Sequence, residues 1–364
     1  MSRAKLYQNK KNNAVRSWRN GIAVRIPDRL SDAVMTFPAL WELKKIIPEH
    51  CGLFVIIPAF MTQLFEALPI VDKTVSLRKK NSLWSKNERR EVRQLRAGAI
   101  VIFNDSPADI ISARLARIPQ LFGFDGNPAG MLLSSRTVRP KNPVNPDHHS
   151  PLAMQYLALA SAAGAGPWDG ILPRISSRIA TTETDPLIHD LCRHPQLLLI
   201  APGVTGTPCL PLTTYNSAAK YWIRHGGIVA VIGSAGERSH GNAVISGLPG
   251  NKCFNLCGKT DICALLHLFR NAAYTIAGDS GLMRLGIALD IHGLVPVGPA
   301  DFFETDPVTA KWRTLVSKSN CGRTGDICRP SGNCPHLPTV KQLLKAIKKA
   351  AGELHFPFRK AAKK

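Results

Sequence analysis

Short apolar runs that end in glycine-rich turns, each followed by a segment with helical spacing, constrain the fold of this chain most strongly. The clearest case has an apolar run at 274–277, a turn at 278–281 and apolar residues at helical spacing up to Leu289. Asp279 or Ser280 is the expected N-cap of that helix, whose first-turn N–H groups attract an anion such as phosphate. Repetition of this order along the chain predicts βαβ units with a parallel sheet.

The predicted elements alternate in two series. Strands are predicted at 21–26, 53–57, 73–77, 99–103 and 120–124, and then at 197–200, 227–232, 254–256, 274–277 and 293–297. Helices are predicted at 33–46, 62–67, 82–96, 105–116 and 154–163, and then at 214–225, 239–246, 261–272 and 340–351. Pro38 favours a start of the first helix at Thr36 or Phe37, because proline is tolerated only in a first turn. The polar segment 126–150 is predicted as a loop.

A segment without periodicity, rich in Gly, Pro, Ser and Thr, separates the two series and is typical of an interdomain linker. The predicted fold class is therefore α/β, with two Rossmann-like, doubly wound domains whose strand-end loops face a cleft. We place the parts at 1–20 (basic tail), 21–170 (first domain), 171–186 (linker), 187–350 (second domain) and 351–364 (basic tail).

The charge of the chain favours anionic partners. Its 47 Lys and Arg residues exceed its 25 Asp and Glu residues, so the net charge is +22. Nucleic acid, an anionic membrane face and phosphorylated substrates all fit such a balance. No RNP aromatics, zinc-finger or helix-turn-helix signature is present, so no specific nucleic-acid partner is expected. Without a bilayer-length apolar run or a secretory signal, we expect a cytoplasmic protein and leave open a peripheral contact with the inner membrane.

The cysteines indicate a reducing compartment rather than a disulfide scaffold, since nine is an odd number and six of them are scattered. Cys321, Cys328 and Cys334 cluster near His336, with six and five residues between the cysteines. That spacing is unlike a zinc knuckle, so a thiol-rich loop is favoured over a zinc site. No metal and no cofactor are predicted.

Four loops of the second half share a composition of Gly with Ser or Thr. They lie at 203–207, 233–237, 258–261 and 278–281, each after a predicted strand. Together they are predicted to hold a diphosphate through backbone N–H groups and hydroxyls, with Glu237 placed to bind ribose hydroxyls. The alternative is a set of capped turns such as any α/β domain contains. Neither G-x-G-x-x-G nor a P-loop motif is present, which argues against dehydrogenases and P-loop enzymes.

Asp32 is the candidate catalytic carboxylate of the first half. It follows the first strand and opens a helix, where it can act as general base on an acceptor hydroxyl. The alternative is a simple N-cap.

Residues 24–40, VRIPDRLSDAVMTFPAL, resemble the opening of the family-9 glycosyltransferases, the heptosyltransferases of lipopolysaccharide core assembly, whose pattern is R-x4-L-G-D-x-V-x3-P-A-L. Similarity continues at Pro202-Gly203, at 258–261 with Leu265, at 279–283 with Ala288-Leu289, and in the cysteine-bearing tail. The resemblance implies a GT-B architecture and inverting, metal-independent transfer of a heptose from an ADP-sugar. The implied partners are that donor, an anionic glycolipid acceptor of lipid A/Kdo type and the inner-membrane surface.

The resemblance also implies roles for individual residues. Asp32 takes the place of the family's general base, with Arg29 and Ser31 on the acceptor side. The residues implied on the donor side are Thr205, Thr207, Glu237, Lys259, Thr260, Asp279, Ser280, Gly281 and Arg284.

Three departures from the family pattern bear on activity. Ser31 replaces a glycine, Arg284 replaces a histidine, and the loop after Gly203 has Cys209 but no lysine. The fixed charge and forked donors of Arg284 suit a diphosphate, whereas a cation near the leaving group is missing from its usual place. Two other functions therefore remain: a nucleotide-sugar-binding protein that has lost transfer, and a nucleic-acid binder suggested by the net charge alone.

Overall fold

The protein is described by a computed structural model that covers residues 14–78, 82–142, 150–176, 185–203, 210–297, 311–316 and 337–353. The chain divides into two compact units, Met1–Ile179 and Ala180–Lys364. The domain and linker limits predicted above remain a prediction.

Unit 1 is a parallel sheet with helices between its strands. Its strands are β1 (Gly21–Arg25), β2 (Gly52–Pro58), β3 (Lys73–Leu77), β4 (Ala99–Ile102), β5 (Gln120–Phe124) and β6 (Ser135–Thr137). Its helices are α1 (Leu30–Val34), α2 (Phe37–Ile46), α3 (Thr62–Glu66), α4 (Lys86–Gln94), α5 (Pro107–Leu115) and α6 (Leu152–Ala162). The strand order is β3-β2-β1-β4-β5-β6, and every pairing is parallel.

The two central strands of this sheet are buried along their whole length, and Arg25 is the single charged residue among them. Every residue of β1 and β4 is buried, and Val24 of β1 pairs with Val55 on one side and Val101 on the other. Continuous apolar strands of this kind are typical of a parallel sheet covered on both faces.

Local sequence signals set the helix starts. Pro38 lies in the first turn of α2, as predicted, while Leu30–Val34 forms a separate short helix before it. The predicted helix 82–96 is shorter, because Ser85 and Glu88 form a capping box that starts α4 at Lys86. Describing 126–150 entirely as loop was wrong, since β6 forms there; it is a three-residue edge strand without an apolar run.

Unit 2 repeats the architecture. Its strands are β7 (Leu197–Ala201), β8 (Ile228–Val231), β9 (Cys253–Asn255), β10 (Tyr274–Ala277), β11 (Gly293–Val297) and β12 (Trp312–Val316). Its helices are α7 (Pro186–Cys192), α8 (Leu212–Arg224), α9 (Arg238–Ile245), α10 (Ile262–Asn271), α11 (Gly281–Ala288) and α12 (Val340–Glu353). The order β12-β11-β10-β7-β8-β9 is again wholly parallel. Counted from β7 within the unit, it is the order of unit 1.

The ends of the elements in unit 2 follow predicted signals in most cases. The Asp261 carboxylate accepts a 2.7 Å hydrogen bond from the Ala264 N–H and caps α10, as predicted. In α12 the lysines predicted on the outer face are exposed while Leu343 and Ile347 are buried. Helix α7 and strand β12 were not predicted.

Within the described ranges, no helix combines the length and apolarity that crossing a bilayer requires. The predicted cysteine cluster Cys321, Cys328, Cys334 and His336 lies outside the described residues.

Candidate functional site

In both units the strand order reverses beside the first strand. Successive connections run outward from β1 to β2 and β3, and then return to β4 on the other side of β1; β7 and β10 have the same relation. Loops at the carboxyl ends of two such strands diverge, and ligands of open α/β sheets bind in the crevice between them. The topology therefore points to the loops after β1 and β4, and to those after β7 and β10.

A pocket of about 680 Å³ occupies the first of these positions. Asp28, Arg29 and Asp32 line it from the β1 side. Asn104 and Asp105 line it from the β4 side, as does Ser106 at the start of α5. Two of the three residues predicted on the acceptor and base side of the reaction, Arg29 and Asp32, thus lie in one pocket.

Asp32 sits in the first turn of α1 and is half-buried. Arg29, not Asp32, is the N-cap residue, so the simple N-cap interpretation of Asp32 is wrong. The Ser31 hydroxyl donates a 2.8 Å hydrogen bond to Oδ1 of Asp32. The family pattern has glycine at position 31. The hydrogen bond that orients the Asp32 carboxylate is therefore made by Ser31, one of the residues at which this chain departs from that pattern.

A buried ion-pair network supports the loop after β1. Arg25, 1% exposed, donates from Nη2 to Oδ1 of Asp28 at 2.7 Å and from Nη1 to the Ile26 carbonyl. Its Nε lies 3.0 Å from Oδ2 of Asp109, an ion pair without hydrogen-bond alignment. Asp109 is 2% exposed and also accepts from the Trp84 indole N–H. Buried charges persist only when paired in this way, so Arg25 fixes the Asp28 carboxylate at the pocket wall.

Two cations line the pocket, Arg29 and Arg139, and three neighbouring side chains contact Arg139. It pairs with Asp105, donates at 2.7 Å to Oε1 of Gln155, and lies 3.8 Å above the ring centre of Phe124. Stacking and pairing fix its guanidinium plane. Sequence reasoning missed Asp28, Asp105 and Arg139. Asp28 and Asp105 are each the third residue after a strand, and that position could have identified them.

In unit 2, the loops after β7 and β10 come into close contact. The Gly278 N–H donates to the Ala201 carbonyl at 2.9 Å. Gly203 has φ +82°, and a Cβ there would stand 3.5 Å from the Gly278 Cα and 3.9 Å from the Ser280 Cβ. Glycine adopts this positive φ without the steric strain that a side chain would add. The contacts between the two loops show that both predicted phosphate loops lie on one surface of unit 2.

The turn after β10 opens α11 as predicted. Ser280 is the N-cap and accepts from the Met283 N–H at 3.5 Å, and helix α11 begins at Gly281. The first N–H groups of a helix have no acceptor within it and favour an anion. Arg284 lies one turn further, with Nη2 3.6 Å from Oδ1 of Asp279. A guanidinium thus accompanies the helix N-terminus.

The loops after β8 and β9 are joined in the same manner. The Gly258 N–H donates to the Gly233 carbonyl at 2.9 Å. Gly258 has φ +71°, and a Cβ there would be 2.6 Å from the Ala235 Cα. Glu237 bonds locally: its Oε2 accepts from both the N–H and the hydroxyl of Ser234, each at 2.7 Å, in a capping box.

The four loops of unit 2 follow the strands β10, β7, β8 and β9, which are neighbours in that order. Their carboxyl ends form one edge of the sheet, so the structure brings Glu237, Asp279, Ser280 and Gly281 to the same edge. Lys259 is exposed and Thr260 half-buried beside them. Thr205, Thr207 and Cys209 lie outside the described residues.

Burial changes the acidity of one cysteine near these loops. Cys257 is fully buried, and desolvation raises the pKa of its thiol to about 11, with a smaller contribution from the Glu237 carboxylate. Its Sγ would lie 3.2 Å from a Cβ at Gly233. The thiol therefore packs beneath the loop as a neutral group and does not serve as a nucleophile.

Known proteins resemble the chain over most of its length. Lipopolysaccharide heptosyltransferase 2 of Salmonella typhimurium is 25% identical over 319 residues, which cover 82% of this chain and 89% of the relative. Lipooligosaccharide heptosyltransferase 2 of Haemophilus influenzae is 23% identical over 303 residues, covering 78% and 85%.

Solved structures have the same fold. The E. coli ADP-heptose lipopolysaccharide heptosyltransferase II superposes with a TM-score of 0.71 at 20% identity, covering 92% of this chain and 99% of that chain. A family 9 glycosyl transferase from Veillonella parvula gives 0.72 at 18% identity, covering 94% and 100%. These likenesses confirm the predicted fold class, α/β of the GT-B type.

A family model described as glycosyltransferase family 9 (heptosyltransferase) matches residues 89–331. The match begins after Asp32 and includes all four loops of unit 2. It confirms the resemblance seen in the sequence, and with it the glycosyltransferase class. Since it covers more than half of the chain, this protein belongs to glycosyltransferase family 9, the heptosyltransferases.

Proposed function

We propose that the protein transfers a heptose, or a related sugar, from an ADP-sugar to a lipopolysaccharide-core acceptor of lipid A/Kdo type, with inversion and without a metal ion. The observation that carries the proposal is the position of Asp32, in a pocket at the strand-order reversal of unit 1. The printed names of the relatives, which include lipopolysaccharide and ADP-heptose, support the choice of substrates.

The acceptor sugar occupies the pocket of unit 1. Three carboxylates (Asp28, Asp32 and Asp105) face two guanidinium groups (Arg29 and Arg139) along its wall. Such a lining offers many acceptors and donors to hydroxyl groups and only a small net charge. It therefore suits a neutral polyol portion of the acceptor, while the anionic groups of the glycolipid bind elsewhere.

Asp32 acts as the general base. Its carboxylate takes the proton of the acceptor hydroxyl as that oxygen attacks the anomeric carbon of the donor, opposite the diphosphate. The Ser31 hydroxyl holds Oδ1 of Asp32, which leaves Oδ2 for the substrate. Arg29, beside them in the pocket, orients the acceptor. A positioned base of this kind contributes roughly 10²–10⁴-fold to the rate.

The donor binds at the carboxyl edge of the unit 2 sheet. First-turn N–H groups of α11, together with Ser280, Gly281 and Arg284, stabilise the negative charge that develops on the departing ADP. Asp279 positions Arg284 through the observed ion pair. Glu237 binds the ribose, for which it exchanges its bond to Ser234. Lys259, Thr260, Thr205 and Thr207 complete the phosphate contacts.

The net charge of +22 suits the anionic acceptor and an acidic membrane surface. Helix α4 contributes Lys86, Arg89, Arg90 and Arg93 to this charge. Each Lys or Arg near such a surface contributes about 1 kcal/mol of attraction. The protein works in the cytoplasm and meets its acceptor as a peripheral protein at the inner face of the inner membrane.

The test is a reaction with ADP-heptose and a lipopolysaccharide-core acceptor, in which ADP release is followed and the anomeric configuration of the product is read by NMR. We expect one ADP per sugar transferred, inverted configuration and no loss of rate with a chelator. ADP binding by calorimetry without any ADP release would instead identify a nucleotide-sugar-binding protein. Retained configuration, or chelator-sensitive turnover, would overturn the proposed mechanism.

A further inference from the structure

A second pocket of unit 1 lies at the opposite edge of its sheet. It encloses about 420 Å³ and is lined by segments that precede strands or end helices. Asn20 precedes β1, Ala97 precedes β4 and Ile118 precedes β5. A strand of five residues is about 17 Å long, so this pocket is well separated from the one that contains Asp32.

Arginines dominate the lining. Four of the residues that line this pocket are arginines: Arg19, Arg93, Arg96 and Arg117. All four are exposed, and no lining residue is acidic among those the structure describes. Arg93 donates to the Leu115 carbonyl at 2.9 Å, and no ion pair joins any of the four to another described residue.

The backbone at three of these arginines has a left-handed conformation, with φ of +47° at Arg19, +51° at Arg96 and +64° at Arg117. In the described residues, the only other non-glycine residue with positive φ is Asp290. A left-handed conformation is unfavourable for a residue with a side chain. Three such positions around one pocket therefore represent a local conflict of the kind that accompanies functional sites.

Arg96 and Arg117 follow the C-caps of α4 and α5, where glycine is the usual residue. The chain uses glycine at the equivalent positions after α6 and α8, Gly164 (φ +112°) and Gly226 (φ +98°). Arginine at the first two positions is thus not required by the turn. Its side chain must be favoured for another reason.

The partial negative charges at the C-termini of α4 and α5 repel an anion at this pocket. The positive charge of the four arginines is larger than that negative charge. Each helix end carries roughly half a negative charge, so α4 and α5 together contribute about one. Four guanidinium groups carry four positive charges that persist at any physiological pH. The pocket is therefore strongly positive, and its arginines present forked donors suited to phosphate oxygens.

We propose that this arginine pocket, formed by Arg19, Arg93, Arg96 and Arg117, binds phosphate groups. Its ligand is a phosphorylated molecule or a phospholipid headgroup, and the two share the same recognition chemistry. The site is separate from the sugar-transfer machinery and does not depend on it.

The test uses Arg96→Gly together with Arg117→Gly. Glycine accepts the left-handed backbone at both positions, so the double variant folds with a melting temperature close to that of the parent. Inorganic pyrophosphate is the first probe, at 150 mM salt. Protection of the segments 92–98 and 115–119 from hydrogen exchange reports binding in unit 1, apart from any diphosphate held in unit 2. Loss of two charge-assisted hydrogen bonds weakens pyrophosphate binding by roughly 30-fold or more.

The control is Lys73→Gln together with Arg136→Gln, which removes the same charge from exposed positions of unit 1 outside the pocket and outside helix α4. This control retains parental affinity. Vesicles of phosphatidylglycerol and of phosphatidylcholine identify the source of the phosphate. If the glycine variant, and not the control, loses binding to phosphatidylglycerol vesicles, the ligand is a lipid headgroup. If the glycine variant loses pyrophosphate binding but still binds vesicles like the parent, the ligand is a soluble phosphorylated molecule.

Two results would overturn the proposal. One is that the parent protein shows no protection with pyrophosphate and binds both vesicles equally. The other is that the glycine variant and the control lose binding to the same extent, which would mean general charge attraction. Neither result concerns sugar transfer, so this proposal and the proposed function fail independently.

Discussion

The buried pair Arg25–Asp109 offers the sharpest test of how unit 1 supports its pocket. In Arg25→Met, a side chain of similar length removes the charge and the donors that now reach Ile26, Asp28 and Asp109. Asp109, which is 2% exposed, keeps its Trp84 donor but loses its counter-ion. Removing one partner of a buried pair typically lowers the free energy of unfolding by about 3–5 kcal/mol.

Asp109→Leu alone leaves the Arg25 charge buried and leaves both the Trp84 N–H and the Asn104 amide without their acceptor, so we expect a similar loss. The double variant removes both charges at once. Its remaining deficits are the Trp84 N–H, the Asn104 amide and the unsupported Asp28 carboxylate, at about 1–3 kcal/mol each. Three such deficits total about 6 kcal/mol at their central values, against about 8 kcal/mol for the two single losses added together, so the coupling energy between the two sites is about 2 kcal/mol.

Native-state hydrogen exchange is the suitable assay, because a chain of two units does not unfold in one two-state step. Peptides from β1 and α5 report the opening of unit 1, and peptides from β7 and β10 serve as an internal reference. A loss below about 1 kcal/mol in Arg25→Met, or additive losses in the double variant, would refute the reasoning.

Further predictions concern Gly258, Cys257 and Ser31. Gly258→Ala brings a Cβ to 2.6 Å from the Ala235 Cα, whereas Gly203→Ala has the strain of φ +82° but only ordinary contacts. We therefore expect Gly258→Ala to lower the melting temperature by more than Gly203→Ala. Differential scanning calorimetry compares the two variants, and equal shifts would contradict the account. Because the pKa of Cys257 is about 11 against an ordinary 9.0, this thiol resists iodoacetamide in the folded protein at pH 8, as peptide mapping would show. The same shift makes unit 2 lose stability as the pH rises from about 9 to about 11, since unfolding releases the proton. Ser31→Gly restores the family residue yet removes the 2.8 Å bond to Asp32, so kcat falls about fivefold for a loss of about 1 kcal/mol; an unchanged kcat would show that the bond has no positioning role.

Elements with strong local signals were predictable from the sequence. Helix α11, capped by Ser280 after strand β10, and helix α10, capped by Asp261, both follow from an apolar run and a capping residue close together. Pro38 likewise fixed the start of α2. In each case the residues that determine the element lie within a few positions of its end.

The missed elements lack such signals or carry weak ones. Strands β6 and β12 are the outer strands of their sheets, and an edge strand has no need of a continuous apolar run. Helix α7 is short, although Asp185 accepts from the Leu187 N–H at 2.9 Å and Pro186 begins the helix. That Asp-Pro pair was a usable signal.

The site was partly predictable for a different reason. Asp32 and Arg29 could be recognised from the pattern of one segment, whereas Arg139 reaches the same pocket from a position more than a hundred residues away. Its place depends on β5 pairing with β4 and on β6 pairing with β5, which is a tertiary arrangement. The Arg25–Asp109 pair is equally non-local, because β1 must lie next to β4 before α5 can supply the carboxylate.

The most direct measurement of the central claim is the rate of ADP release from ADP-heptose and a lipopolysaccharide-core acceptor in Asp32→Asn, with Asp28→Asn as the matched control from the same pocket. The account predicts that Asp32→Asn lowers kcat by roughly 10²-fold or more while calorimetric ADP affinity is unchanged. Because Asp28 lines the acceptor pocket without taking the proton, Asp28→Asn raises the KM for the acceptor and leaves kcat nearly unchanged. Parental turnover in Asp32→Asn, or a loss confined to Asp28→Asn, would contradict the assignment of Asp32 as the base.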